Sequence, residues 1–326
     1  MMLKKQPDST KNHLPQTPKT WSKMTDQPTS ELHIWHRNLD SFQLSGADVR
    51  RWCNGMFTNN IRNMALEHGS RSAICDDRGR VVGFIDLTCQ SDELFFATLD
   101  GISQEQFEER FNMYMVLDDI ELLPISNSLL HLSGDLAEQW LEEHQLPLPT
   151  GCNRGAWSST SDRYGGVRVT RRERIGQPGW DLCPLANQNL QQLLSIEYSG
   201  EHIYHNIRVT NGRIEWPTDG NPKSLIHELN LNHECCAFDK GCYIGQEIIN
   251  RIDVKLAFVK QARKLRLSGQ SELGASLLLA GKEMGVLTSL SGELGLSVLR
   301  KKGWELGTVL IVSNGSEELG TATVIA

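Results

Sequence analysis

Lys240, Gly241 and Cys242 stand side by side in the run CCAFDKGCYIGQEIINR, Cys235 to Arg251, and the amphipathic segment behind them carries Gln246, Glu247, Asn250 and Arg251. If Tyr243 to about Val254 is helical, Cys242, Gln246 and Asn250 share one side and Tyr243, Glu247 and Arg251 the next. Ile244, Ile248 and Ile252, with Ile249 beside them, then form an apolar row that can dock on a core. Gly241 lets the chain turn sharply, and Cys242 would sit at the positive end of the helix dipole next to Lys240. Both features favour thiolate over thiol. Glu247 precedes Arg251 by four residues, the favourable order for an intrahelical ion pair. A thiol so placed could be a nucleophile, a redox group or a metal ligand, and a small buried residue at a helix start is the plainer alternative.

The metal reading is the weakest of these. His227, His233, Cys235, Cys236 and Cys242 are all able to ligate, yet no C-x-x-C spacing occurs and adjacent cysteines cannot easily meet one tetrahedral ion. No metal is expected. Neither a phosphate loop nor a dinucleotide fingerprint is present, and no solenoid period is visible.

The wider composition limits the function further. A chain of 326 residues, 39% hydrophobic and 22% charged, is long enough for two or three packed units. Its net charge of −7 argues against a general nucleic-acid binder, so no direct nucleic-acid partner is expected. The run RVTRRER, Arg168 to Arg174, concentrates positive charge and reads as a solvated edge strand or loop. The eight cysteines lack a disulfide spacing, which fits free thiols in a reducing cytoplasm. No apolar run approaches the roughly 18 residues that would cross a bilayer, so no membrane partner is expected. Residues 1–31 are rich in Lys, Thr and Pro and read as a disordered tail.

Short strands and helices alternate along the rest. LHIWHRNLDSFQLSG reads as a strand and turn, and GADVRRWCNGMFTNNI as a short helix ending near Asn54-Gly55. SRSAICDDRGRVVGFIDLTCQSDELFFATL reads as a β-meander whose tight turn is DDRGR. Phe107, Phe111 and Tyr114 lie at helical spacing behind an N-cap at Ser103, and IELLPI follows as a strand. SLLHLSGDLAEQWLEEHQL repeats strand, turn and helix, GWDLCPL is a strand, and LQQLLSIEYSG is a helix. From about residue 262 the texture becomes short β-runs punctuated by glycine, as in a small all-β barrel or sandwich. The fold class expected is α+β.

KGCYIGQE, Lys240 to Glu247, resembles the signature of the YgfZ family of folate-binding proteins, relatives of the glycine-cleavage T protein, an aminomethyltransferase. LSGADVRRWCNGMFTNNI, DDRGRVVG, FNMYMVLDDIEL, GRIEWP (Gly212 to Pro217) and GVLTSL…GLSVLR resemble further landmarks of that family, in order. The resemblance implies the aminomethyltransferase folate-binding fold. Residues 32–261 would form two interleaved α+β subdomains and 262–326 a small C-terminal β-barrel, around a hole holding tetrahydrofolate. It implies a role with iron–sulfur cluster proteins or assembly factors and in tRNA modification. Glu215 would accept from the pterin's amino and ring N–H groups, because a carboxylate offers only acceptors to a donor-rich edge. Arg251, with Arg213 or Lys240, would face the folate's glutamate tail. Tyr243, Gln246 and Glu247 would flank the site, and Cys242 would be the functional thiol at its mouth. Trp216 replaces the family's usual residue after the glutamate, where it would either stack on the pterin or fill its space. The alternative function is a folate-dependent one-carbon transferase, for which Asp100 lies in the neighbourhood of the catalytic aspartate in an unlike context.

Overall fold

The computed structural model describes residues 31–149, 156–186, 188–256 and 258–326. The expected tail, apart from Glu31, lies outside the described residues, as does Cys152. The elements run β1 (His33–Ser45), α1 (Val49–Met56), β2 (His68–Cys75), β3 (Val81–Ser91), β4 (Leu94–Asp100), α2 (Gln104–Met115), β5 (Glu121–Ser133) and α3 (Ala137–Glu143). Then come β6 (Ala156–Ser161), β7 (Val167–Arg171), β8 (Gly179–Pro184), α4 (Leu190–Leu194), α5 (Glu201–Thr210), α6 (Asn232–Cys235) and α7 (Gln246–Lys255). The remainder is β9 (Lys260–Gly269), β10 (Ser276–Leu279), β11 (Lys282–Val286), β12 (Ser289–Ser291), β13 (Leu294–Arg300), β14 (Val309–Ser313) and β15 (Glu318–Ile325).

The first eight strands close into one barrel in the order β1-β4-β3-β2-β6-β7-β8-β5. Every neighbouring pair is antiparallel. IELLPI and SLLHLS, two separate strands by their sequence pattern, are one 13-residue strand, β5, which pairs along β1 from His33↔Ser133 to Ser45↔Glu121. Helices cover the outside. On one side α1 and α2 bury Trp52, Phe57, Phe107 and Phe111 against Ile85, Leu87 and Leu99 of the sheet. The α2 start is held by a capping box, with Ser103 Oγ accepting from Gln106 N while Gln106 Oε1 accepts from Ser103 N. On the other side Leu141, Leu190 and Leu194 pack over Val167, Val169, Trp180 and Leu182.

Because the outward faces are covered, the inward residues decide what fills the barrel, and they are charged. RVTRRER is not the solvated edge expected from its composition. Strand alternation turns Val167 and Val169 out into the helix-covered core and Arg168 inward, where it is 3% exposed. The side chains of Arg172 and Arg174 follow, 10% and 6% exposed, and meet Asp86 of β3 and Asp181 of β8. An arginine run can lie inside when the adjacent strand β8 and the non-adjacent β3 both turn a carboxylate inward to meet it.

The C-terminal seven strands form a second antiparallel sheet, β11-β10-β14-β15-β9-β13-β12, curled over Leu265, Leu277, Leu299, Leu310 and Val312. The helix expected in LQQLLSIEYSG is confined to α4, and α5 follows it without having been expected. Among the described residues no helix is long and apolar enough to cross a membrane.

Candidate functional site

Two neighbouring regions hold the residues singled out in the sequence. The first is a cleft where β1–β4 and the β7–β8 turn meet α5, the segment 213–216 and α6. Its cavity is about 40 Å³. Glu215 lines it with a side chain 27% exposed, held by two guanidiniums, of which Arg37 also lines the cleft. Arg37 Nη2 donates to Glu215 Oε1 at 3.1 Å, and Arg208 Nε lies 3.4 Å from Oε2. Arg208 is fixed in turn by Asp219, Nη1 to Oδ2 2.5 Å, and by Ser289 Oγ of the C-terminal sheet at 2.7 Å. Asp219 also accepts from the backbone N–H of Glu215 at 3.0 Å, so one buried ion pair sets both the backbone and the side chain of the candidate clamp.

Arg213 lies in the same cleft, but its guanidinium is taken by Glu234 in a two-pronged pair of 2.6 and 2.9 Å. Trp216 forms one wall. It is 8% exposed, donates from Nε1 to the Val82 carbonyl at 3.2 Å, and lies over Gly101 and Gly220, whose missing Cβ atoms leave it room. Asp100 also lines the cleft, its Oδ2 accepting from Arg71 at 2.7 Å and Arg174 at 3.4 Å. Tyr204 stacks under Arg37 at 4.2 Å, and burial pushes its hydroxyl up to about 12, so it stays protonated.

The second region is the KGCYIGQE turn. Gly245 adopts φ +83°, and a Cβ there would stand 2.6 Å from the Asp76 carbonyl oxygen and 3.0 Å from Gly79 Cα. Only glycine permits this left-handed approach, so the signature turn and the DDRGR turn lock glycine against glycine. Helix α7 starts after that contact, at Gln246 rather than Tyr243. Cys242 therefore precedes the first helical turn by a full turn, and the dipole argument made for it does not apply. The thiol is exposed, whereas Cys53, Cys75, Cys89, Cys183, Cys235 and Cys236 are buried.

The other residues of the turn are divided between roles. Lys240 is not extended toward the cleft, because its Nζ donates to the carbonyls of Asn54, Phe57 and Asn59, each at 2.6 Å. It thereby satisfies two carbonyls at the end of α1 and one in the loop that follows. Burial pushes its pKa down to about 8. Tyr243 is buried with its ring 4.9 Å from Lys240 Nζ. On α7, Ile249 and Ile252 are buried, Gln246 is half-buried and Glu247 is exposed. The expected Glu247–Arg251 ion pair is not formed; Arg251 turns instead into a groove with Arg78 and Arg80. The structure thus brings Glu215, Arg213 and Trp216 to one cleft. Cys242, Lys240, Tyr243, Gln246, Glu247 and Arg251 are not among the residues lining it. Among the described residues no group of three or more His, Cys, Asp or Glu is placed to hold a metal ion.

Arg37, Arg71, Arg174 and Arg208 escape a reading of the sequence for site residues. The one signal for such arginines is alternation: Arg168, Thr170 and Arg172 share a face opposite Val167 and Val169, a pattern that a buried strand also gives.

No protein-family profile matches the chain. It is 24% identical over 254 residues to a tRNA-modifying protein YgfZ from Aliivibrio fischeri, covering 74% of this chain and 71% of that one. It is 29% identical over 284 residues to a putative chloroplastic transferase of Arabidopsis thaliana, covering 83% of this chain and 65% of the plant protein. Glycine cleavage system aminomethyltransferase T from Bartonella henselae superposes with a TM-score of 0.78 at 13% identity, over 90% of this chain and 85% of that one. The chain is a homologue of the YgfZ proteins, built on the fold of aminomethyltransferase T.

Proposed function

We propose that the chain is a cytoplasmic YgfZ-like factor that binds tetrahydrofolate in the cleft at Glu215 and supports iron–sulfur proteins, including those that modify tRNA. The observation that carries the folate reading is Glu215 itself. It is an acceptor-only group facing a cleft, and a buried Arg208–Asp219 pair fixes its position. A pterin edge presents adjacent N–H donors, which a carboxylate held in this way can accept in pairs. A cavity of about 40 Å³ holds only a few waters, so the ring enters when a rim side chain withdraws. Arg37 is the group able to do so, since it also pairs with the exposed Glu201 at 3.2 Å. Cys242, exposed on a turn locked by Gly245, would supply the functional thiol. The link to tRNA modification rests on the name of the Aliivibrio relative.

Calorimetric titration with 5-formyltetrahydrofolate tests the clamp. Saturable binding that Glu215→Ala abolishes is expected; equal binding by that variant removes Glu215 from the site. The thiol is tested separately in a strain lacking its own YgfZ. Cys242→Ala should bind folate normally and fail to restore tRNA thiolation, and full restoration would end the thiol role.

One observation favours a second reading, a folate-dependent aminomethyl transfer: Asp100 lines the same cleft as Glu215. Formation of methylenetetrahydrofolate from a methylamine donor, lost in Asp100→Asn, would decide for it.

A further inference from the structure

The chain carries 33 basic and 40 acidic residues, yet its cations are not evenly spread. One face of α7 (Ile248, Arg251, Ile252 and Lys255) forms a groove with Arg78, Arg80, Lys223 and Leu225. That groove holds five cations and no carboxylate among the described residues. A second groove opens where β9 and β11 meet the end of β13, lined by Lys260, Lys282, Arg300, Lys301 and Lys302 around Val259 and Met284. Its one described carboxylate, Glu283, accepts from Ser276 Oγ at 2.8 Å. None of the ten cations forms an ion pair among the described residues, and all but Arg80 and Lys260 are exposed. Lys255 closes α7 and Lys260 opens β9, five Cα–Cα steps apart, a reach of at most about 18 Å. Val254, Leu256 and Val259 are exposed along the junction.

Among the residues that line the two grooves, cations outnumber carboxylates ten to one. In a protein of net charge −7, such a tract focuses a positive potential for an extended polyanion. We infer that this two-groove tract binds the phosphodiester backbone of a folded RNA, across the junction between the barrel unit and the C-terminal sheet. Among the described residues no aromatic side chain lines either groove, so neither offers a stacking platform for splayed bases. Recognition is therefore by backbone phosphates, with little dependence on sequence and a steep dependence on salt. The choice of RNA over DNA rests on the proposed connection with tRNA modification; the tract itself does not involve the cleft at Glu215. It reverses the expectation, drawn from net charge, that nucleic acid is not a direct partner.

Fluorescence anisotropy with labelled total tRNA, on the full chain across 50–300 mM salt, tests the inference. Binding is expected, with a log–log salt slope of several units. Arg78→Gln/Arg80→Gln/Lys223→Gln should cut affinity at least about tenfold and lower the slope by roughly two, near 0.7–0.9 for each phosphate no longer neutralised. Lys282→Gln/Lys301→Gln/Lys302→Gln, on the other domain, should do the same, and it serves alone if the first variant melts early. Absence of binding at 50 mM salt, or unchanged affinity in both folded variants, overturns the inference. So does poly-glutamate competing as well as tRNA at equal charge, which would assign the tract to acidic peptides, or a DNA duplex binding more tightly than tRNA. Loss of folate binding in the separate titration leaves this result untouched, so the two failures can be told apart.

Discussion

Arg174 grips Asp181 inside the barrel, with Nη2 2.7 Å from Oδ2 and Nε 3.0 Å from both carboxylate oxygens. Burial alone would raise the Asp181 pKa, but Arg174 and His131 outweigh it and hold the carboxyl well below its usual range. Arg168 presents the contrast. It is as deeply buried, yet its Nε and Nη1 have no protein partner among the described residues and burial lowers its pKa. Its guanidinium lies 4.5 Å from the Phe96 ring and lines a space of about 10 Å³, room for one water. Arg174→Met strands a buried carboxylate and is expected to cost about 3–5 kcal/mol. Arg168→Met removes a poorly partnered charge and should cost less than about 1 kcal/mol, or stabilise. Urea unfolding of both variants checks the order, and equal losses would show that the interior is not divided in this way.

Stability should fall on the acid side in two stages. Burial lowers the pKa of His131, with the Asp181 hydrogen bond of 2.8 Å opposing. Below about pH 6.5 the unfolded chain then takes up a proton that the folded chain does not, so stability drops as pH falls. His227, also lowered chiefly by burial, adds to this stage. Asp86 and Asp181 act later. Their arginines depress both against burial, so their contribution is present above about pH 4 and is lost as pH falls further. In His131→Asn the drop in urea midpoint between pH 7 and pH 5 should shrink while the drop below pH 4 persists. An unchanged first stage would clear His131 of any part in it.

Lys240→Met separates two roles for the signature lysine. Two carbonyls at the end of α1 and that of Asn59 just beyond it lose their donor, and a loss of about 2–4 kcal/mol is expected. Folate affinity, measured below the melting point, should stay within about twofold. Were Lys240 a ligand for the glutamate tail, the result would be the reverse: weaker folate binding with normal melting.

Most of the fold is legible wherever one residue pattern has one physical meaning. DDRGR reads as a tight turn, and Ser103 as an N-cap ahead of Phe107, Phe111 and Tyr114 at helical spacing, so β2, β3 and α2 are readable. The charged run at Arg168 has two meanings, surface or polar interior, and composition alone points to the wrong one: Asp86 is distant in sequence, and Asp181, though near, faces the run only through the pairing of β7 with β8. Of the candidate site, Glu215, Arg213 and Trp216 converge on a cleft as the GRIEWP segment requires. The cleft's other arginines, Arg37, Arg71, Arg172 and Arg174, come from β1, β2 and the β7–β8 turn, and only the closed barrel brings them together. Cys242 is identifiable as exposed chemistry through its motif. Its helix register is not, because Gly245, packed on Gly79, delays the start of α7.

Trp216 offers the most direct probe of the cleft wall. A Cβ at Gly101 would stand 2.2 Å from Trp216 Cδ1, and Gly101 adopts φ +74°. Gly101→Ala must therefore strain its own backbone and push the indole away from the Val82 carbonyl, for a loss of roughly 1–3 kcal/mol. The displaced ring alters the wall of the cleft that Glu215 also lines, and folate affinity should fall with it. Trp216→Phe keeps the apolar wall but gives up the hydrogen bond, so folate binding should survive with a smaller stability loss of about 1 kcal/mol. Calorimetric titration of the two variants against wild type, with intrinsic fluorescence reporting the indole environment, makes the comparison. Normal folate binding by Gly101→Ala would show that the pterin does not lie along this wall.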